Sequence, residues 1–375
     1  MDPQEQFCRN QACRAYGRKG EGHVVIHSRR ERRYQCKRCR RTCAETAGTA
    51  LYRLRTARDQ IVVVITLLAY GCPIQAIVAA FGLDERTVAR WQARAGAQSQ
   101  RVHEHLVQAG RVELGQVQAD ELRVRIVGGV LWLASASAVP SRLWHGGAVS
   151  ATRDRALIRG LLERVRACGL VQGLRLCTDG LASYPSQALR LFRTPERTGH
   201  RGRPQLLLAT GLLIAQAIKR YTQRRVAGVE HRVVRGTADA VAAALVRTQG
   251  RSTAVINTAD IERLNATFRA RLASLTRRTR AGVHRRDTTE AGMWLVGAVY
   301  NFCRPHRSLR QCHAADRAPA PRWIERTPAQ AAGLTDHRWS VPELLRFPVP
   351  GLGLRRRGRR PTWLLDAARA AGHAA

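Results

Sequence analysis

"VELGQVQADELRVRIVGGVLWLASASAV", residues 112–139, is the stretch on which the fold turns. Apolar and polar residues alternate on both sides of Gly128–Gly129, the pattern of two strands joined by a tight turn. "SRLWHGGAVS" (141–150) reads as a third strand. The period then becomes helical over 152–168, with Leu157, Leu161, Leu162 and Val165 on one side. "LRLCTDGLASYP" (174–185) follows as a short buried strand ending at Asp179 and Gly180.

Three antiparallel strands, a helix and a further strand is the opening order of an α/β fold of the ribonuclease-H-like (integrase-type) class. Period two separates the two acids of the first strand. Asp120 shares its face with Leu122, Val124 and Ile126, whereas Glu121 falls with Arg123 and Arg125. Asp120 is therefore expected on the packed side, where a carboxylate needs a partner or a metal, and Glu121 in solvent. If the strands of Asp120 and Asp179 run side by side and parallel, both carboxylates emerge at the same edge.

Upstream, Cys8-x4-Cys13, 22 intervening residues and Cys36-x2-Cys39 match two ligand-bearing turns separated by a hairpin near 23–26 and 33–35. Four thiolates close a tetrahedral structural Zn²⁺ site, and so short a segment has too little core to fold without one. Cys43, His23 and His27 stand near enough in sequence to substitute as ligands. Residues 56–96 read as a helix-turn-helix. Thr56 is placed to cap a first helix with Asp59, Pro73 to open a second that Gly82 ends, and Asp84 to cap a third. Val88 and Trp91 would face inward, leaving Arg86, Arg90 and Arg94 on one exposed face suited to the DNA major groove. Residues 97–111 read as a polar, helical connector with His103 and His105 at its surface.

The chain has 375 residues, and its charge is 64 − 27 = +37, almost all from arginine, with lysine only at Lys19, Lys37 and Lys219. That balance points to a polyanionic partner, double-stranded DNA foremost. The apolar runs Ile61–Ala69 and Leu206–Ile218 are too short to span a bilayer, and the opening "MDPQEQFCRN" is no secretory leader. Five of the ten cysteines lie before residue 45 in paired spacing, which favours metal ligation over disulfides and a cytoplasmic setting.

"INTADIERLNATFRARLASLTRRTR" (256–280) carries Ile261, Leu264, Phe268, Leu272 and Leu275 at helical spacing, with Glu262 off that stripe beside Asn265 and Arg269. Packed on the sheet, such a helix would aim Glu262 at the edge where Asp120 and Asp179 meet. Three carboxylates from distant segments suit hard divalent cations. Arg269, Arg277, Arg278 and Arg280 are placed to track phosphates. Residues 288–303 read as a further core helix, His306 as a turn or phosphate contact, "RGRP" at 201–204 as part of a basic solvated loop with a minor-groove segment as the alternative, and "LRRRGRRP" in the tail as a tethering charge run.

"QADE", "TDGLASY", the 256–280 stretch and "YNFCRPHRSL" together resemble the DDE transposases of bacterial insertion sequences, and most of all the insertion-sequence-one-like branch with its N-terminal zinc ribbon and helix-turn-helix. The resemblance covers roughly residues 5–345 and implies Asp120, Asp179 and Glu262 as the catalytic triad holding two Mg²⁺ ions, with Mn²⁺ as the alternative. It further implies binding of inverted-repeat ends, strand cleavage, strand transfer and homo-oligomers on DNA. Two departures stand out. The 82 residues between Asp179 and Glu262 exceed the usual spacing, and Asp260 stands where a tyrosine is expected. The resulting division is 1–50 zinc ribbon, 51–112 helix-turn-helix and connector, 113–310 catalytic domain with an insertion at about 193–254, and 311–375 basic tail. The alternative is a catalytically inactive, transposase-derived DNA-binding regulator.

Overall fold

The computed structural model of the chain describes residues 1–109, 112–196, 203–223, 225–249, 255–272, 275, 285–313 and 322–349. Arg277, Arg278, Arg280, the start of the "RGRP" segment and the basic tail lie outside the described residues. Met1–Leu54 belong to one compact unit and Arg55–Phe347 to another.

The N-terminal unit contains a three-stranded antiparallel sheet of β1 (Val24–Ser28), β2 (Arg33–Cys36) and β3 (Thr42–Ala44). Tyr34, 1% exposed, and Phe7 are its largest buried side chains.

The second unit opens with α1 (Arg58–Ala69), α2 (Ile74–Phe81) and α3 (Glu85–Leu106). Pro73 is the residue before α2, one position earlier than expected, and Gly82 ends it in the left-handed conformation that glycine adopts without strain. Asp84 caps α3 by accepting from the Thr87 N–H at 3.1 Å. The cap expected at Thr56 is absent: α1 starts at Arg58 after Ala57, with no side-chain cap. Val88 and Trp91 are buried and Arg86 and Arg90 exposed as the spacing requires, but Arg94 is half-buried.

The connector after residue 96 is helical as expected, but it is continuous with the third helix, so α3 is a single helix of 22 residues. It crosses α8 (Arg286–Ala298) so closely that a Cβ on Gly96 would meet the Ala291 carbonyl oxygen at 2.4 Å. His103 is accordingly a core residue and not a surface one. It is fully buried with ring centroids 5.0 Å from Trp144 and 5.2 Å from Trp294, and its Nε2 lies 3.1 Å from the His145 carbonyl oxygen. Burial pushes His103 down to about 3 and His145 to about 4. Both stay neutral when folded while the unfolded chain takes up protons below pH 6.5, so stability falls as pH drops from 6.5 toward those values. At pH 5 each histidine is expected to cost about 2 kcal/mol. Urea unfolding of His103→Gln at pH 7 and pH 5 should show a smaller acid loss than wild type; an equal loss would contradict the assignment.

The main sheet has six strands in the order β11-β10-β7-β4-β5-β6. β4 (Gln116–Ile126), β5 (Gly129–Ala138) and β6 (Trp144–Ser150) form an antiparallel meander. The chain then crosses through α4 (Arg155–Cys168), capped by Asp154, and returns as β7 (Arg175–Thr178), parallel to β4. After α5 (Ser183–Leu191) and the small hairpin β8 (Arg193–Glu196) and β9 (Gln205–Leu208), β10 (Leu213–Thr222) joins parallel to β7, and β11 (Arg225–Arg235) folds back antiparallel to β10. The region expected to be an insertion thus contributes two strands to the main sheet, followed by α6 (Ala238–Gln249).

Alternation assigns the two faces. Leu122, Val124, Leu133 and Val149 share a core with Ile261, Leu264 and Phe268 of α7 (Ala259–Arg271) and with Met293 and Trp294 of α8. Ala148, on the opposite face of β6, meets Gly160 of α4. Helices therefore cover both faces. Asn301, fully buried, ties β6 to the segment after α8: its amide donates to the Trp144 carbonyl at 2.8 Å and its Oδ1 accepts the Trp144 N–H at 2.9 Å. Leu275 lies beyond the end of α7 yet still enters the core. A π-helical turn (Val299–Cys303) and a 3-10 turn (Arg307–Leu309) follow α8, and β12 (Gln311–His313), β13 (Arg322–Ile324), α9 (Pro328–Ala331) and α10 (Val341–Arg346) come after them. No described helix is long and apolar enough to cross a membrane.

Candidate metal centres

Parallel pairing of β4 with β7 brings Ala119 opposite Thr178, so the next residues, Asp120 and Asp179, are neighbours at one edge. Their carboxylates and that of Glu121 offer oxygens that all lie within 4.8 Å of one another. Glu121 corrects the sequence reading. Alternation along β4 exposes Arg123 and Arg125, but the first half of this central strand is covered on both faces, and Glu121 is only 8% exposed. Asp120 does point to the α7 side, where Asn265 donates to its Oδ2 at 2.8 Å, and its Oδ1 accepts the Glu121 N–H at 2.8 Å.

Burial, chiefly, raises the Asp120 carboxyl above its ordinary range, and the charges of Asp179 and Glu262 push the same way. Burial also raises Glu121, opposed by hydrogen bonding with Tyr184 and Arg153. Arg153 bridges the group, with an Nη2 2.7 Å from Glu121 Oε2 and 3.1 Å from Asp179 Oδ2, while its guanidinium lies over the Trp132 ring. One cation thus serves two acids. The other Glu121 oxygen, Oε1, is sealed from solvent.

Glu262 sits in the first turn of α7, outside the 4.8 Å group but near enough for its charge to act on Asp120. Its Oε1 accepts from Lys219 Nζ at 2.5 Å and from the Thr258 hydroxyl at 2.6 Å. Burial alone would raise it, yet those two donors bring it below the ordinary glutamate range. Lys219 comes from β10, the strand on the far side of β7 from β4, so the sheet order itself delivers the counterion.

Two buried amides fix this geometry. Gln118, fully buried on β4, accepts the N–H groups of Asp260 and Ile261 at 3.0 Å each and donates to the Asn257 carbonyl at 2.8 Å. It thereby satisfies helix-start donors that no intrahelical carbonyl can reach. Gln216 on β10 donates to the Asp179 carbonyl at 2.7 Å and holds the turn after β7. Neither amide was singled out in the sequence, where a glutamine in a strand carries no signal of its partner. Of the expected DNA contacts, Arg269 is half-buried on α7. Asp260 faces away from the acids and pairs with Arg142.

In the N-terminal unit, Cys8, Cys13, Cys36 and Cys39 bring their sulfurs within 4.8 Å of one another. The Cys8–Cys39 and Cys13–Cys36 separations are 3.6 and 4.0 Å. A tetrahedral ion with metal–sulfur bonds of about 2.3 Å has sulfurs about 3.8 Å apart, and these two separations are compatible with such an ion. Burial raises Cys8, while the Arg41 N–H, the Asn10 side chain and neighbouring thiols outweigh burial at Cys39 and bring it down to about 7. Cys43 lies outside this group, half-buried beside Arg9, and His23 and His27 are likewise not members.

No protein-family model matches this chain, and a search of curated proteins returns no match.

Proposed function

We propose that the chain is a metal-dependent DNA strand-cleaving and strand-transferring enzyme of the DDE transposase kind, built on a ribonuclease-H-like core. The observation that carries the reading is the pairing of Asp120 and Asp179 on adjacent parallel strands, with Glu262 on a helix packed over the same edge. Strand order supports it: a three-stranded antiparallel meander is extended by two strands parallel to its first.

The acids fit a divalent cation of the Mg²⁺ class. All donors are oxygens, and ligands on an octahedral ion with bonds of about 2.1 Å lie about 3–4 Å apart, compatible with the spacing here. Crowding also has its own logic. A largely buried aspartate held above its ordinary range, beside a second buried carboxylate, is costly unless cations join them. When bound, such ions would neutralise the acids and favour ionisation of the attacking water or hydroxyl. Asp120, Asp179 and Glu262 are the proposed ligands, with Glu121 beside them.

The chain's own groups set the rest. Asn265 orients Asp120, Gln118 fixes the start of α7, and Gln216 fixes Asp179. Arg153 and Lys219 are counterions that can transfer their hydrogen bonds to a phosphodiester once the carboxylates are otherwise neutralised. The four-cysteine cluster holds Zn²⁺, and Arg86 and Arg90 on α3 face a DNA groove. The functional form is an oligomer on duplex DNA. The test is nicking of a labelled duplex carrying the flanking end sequence, with Mg²⁺ or Mn²⁺ against no added divalent ion. Metal-dependent nicking supports the reading. Tight binding without nicking under either ion would replace it with the DNA-binding regulator.

A further inference from the structure

Asp260 and Glu262 are two residues apart near the start of α7, about 200° around the helix, and so face opposite flanks. Glu262 faces the acids. Asp260 faces a separate cleft of about 70 Å³, lined by Ser137 of β5, Arg142 of the β5–β6 turn, Arg263 of α7, Tyr300 and His306. Three stretches distant in sequence, 137–142, 260–267 and 300–306, converge there, and nothing in the cleavage reading uses them.

The cleft is built for an anion. Arg142 is held with φ at +59°, a conformation side chains other than glycine rarely adopt, and it pairs with Asp260. Its Nε is sealed from solvent with no hydrogen-bond partner. His306 accepts the Ser308 N–H on Nδ1 at 3.3 Å, which leaves its ring proton on Nε2 as a donor. Arg263 is exposed at the mouth. Asp260 cancels one of the two guanidinium charges, so the cleft retains a positive surplus. Its volume is about that of two waters at about 30 Å³ each, or one tetrahedral oxyanion. Arg142 and Asp260 are each about a quarter exposed, so an oxyanion held there can remain attached to a chain.

We infer that this cleft, on the flank of α7 opposite Glu262, is a subsite for a backbone phosphate of the bound DNA strand. The phosphodiester is gripped by Arg263, Arg142 and the His306 Nε2–H. Asp260 keeps Arg142 in place and lowers the pull on the anion, so the strand can be released. The inference rests on the DNA reading above but not on cleavage.

The test is fluorescence anisotropy of a labelled duplex, without divalent ions, across a salt series for wild type, Arg263→Gln, Asp260→Asn and the control Arg159→Gln. Arg159 is exposed on α4 and pairs only with Glu163 among the described contacts. Each phosphate neutralised contributes a slope of about −0.9 in log K against log salt. Arg263→Gln should flatten the slope by about 1 and weaken binding about three- to ten-fold, with the melting temperature unchanged. Asp260→Asn should tighten binding about three-fold. An unchanged slope in Arg263→Gln, or an equal loss in Arg159→Gln, overturns the subsite. Wild-type nicking is scored in parallel. Absent nicking with a flattened Arg263→Gln slope removes the cleavage reading and keeps the subsite, whereas normal nicking with an unchanged slope does the reverse.

Discussion

Asp120→Asn and Asp179→Asn should each lower metal-dependent strand cleavage at least about 1,000-fold, an effect of about 4 kcal/mol on the barrier, with duplex affinity held within about two-fold. Each change removes one negative ligand from a cluster whose oxygens lie within 4.8 Å of one another. Neither removes an arginine, and Arg153, which pairs with Asp179, keeps Glu121 as its partner. A second readout separates lost chemistry from lost folding. A cation that binds only the folded chain stabilises it by about 2.7 kcal/mol at 100 times its dissociation constant. Mn²⁺ should therefore raise the melting temperature of wild type and fail to do so in either variant. Because burial holds Asp120 above the ordinary carboxylate range, its proton competes with the ion, and the Mn²⁺-induced shift should shrink as pH falls. Undiminished cleavage by purified Asp120→Asn would sink the assignment.

Cys36→Ser should unfold the N-terminal unit. A structural zinc contributes about 10–16 kcal/mol to the folding of small domains of this kind, more than the core around Phe7 and Tyr34 can replace. Cys39, already down at about 7, offers a thiolate near neutral pH, so metal uptake should weaken steeply below that value. Zinc content and proteolysis report the outcome. Wild type should carry one zinc per chain and resist cleavage before residue 54, while the variant loses both properties and keeps a folded second unit. Cys43→Ser, outside the cluster, serves as the control and should retain its metal. A zinc-replete, protease-resistant Cys36→Ser would exclude the four-thiolate site.

Much of this was legible where side chains obey a local period. The meander, the α4 stripe, the third helix with its Asp84 cap and the paired cysteines all follow from spacing that neighbours in sequence impose. Period two put Asp120 on the correct side of β4, and parallel pairing made Asp179 its neighbour. The same rule misplaced Glu121, because alternation marks solvent only where one face is bare, and both faces of β4 are covered near its start. His103 was hidden for a related reason: a histidine between polar neighbours reads as surface until α8 closes over it. The contribution of β10 lay beyond any local reading. A strand reveals its period, but its place beside β7 is fixed by pairing across more than thirty residues. Lys219, Gln216 and the Arg142–Asp260 pair followed from that long-range geometry alone.

α3 runs unbroken for 22 residues, from exposed Arg86 to the buried His103. A rod of about 33 Å couples its two ends in phase as well as in distance. Adding one residue near Ala93 would swing the arginine-bearing end by about 100° and advance it by about 1.5 Å, whereas adding seven would nearly restore the original bearing. Grafting a different reading head onto this scaffold is thus a problem of angular bookkeeping, and chimeras joined within α3 will succeed or fail by helical phase more than by sequence similarity.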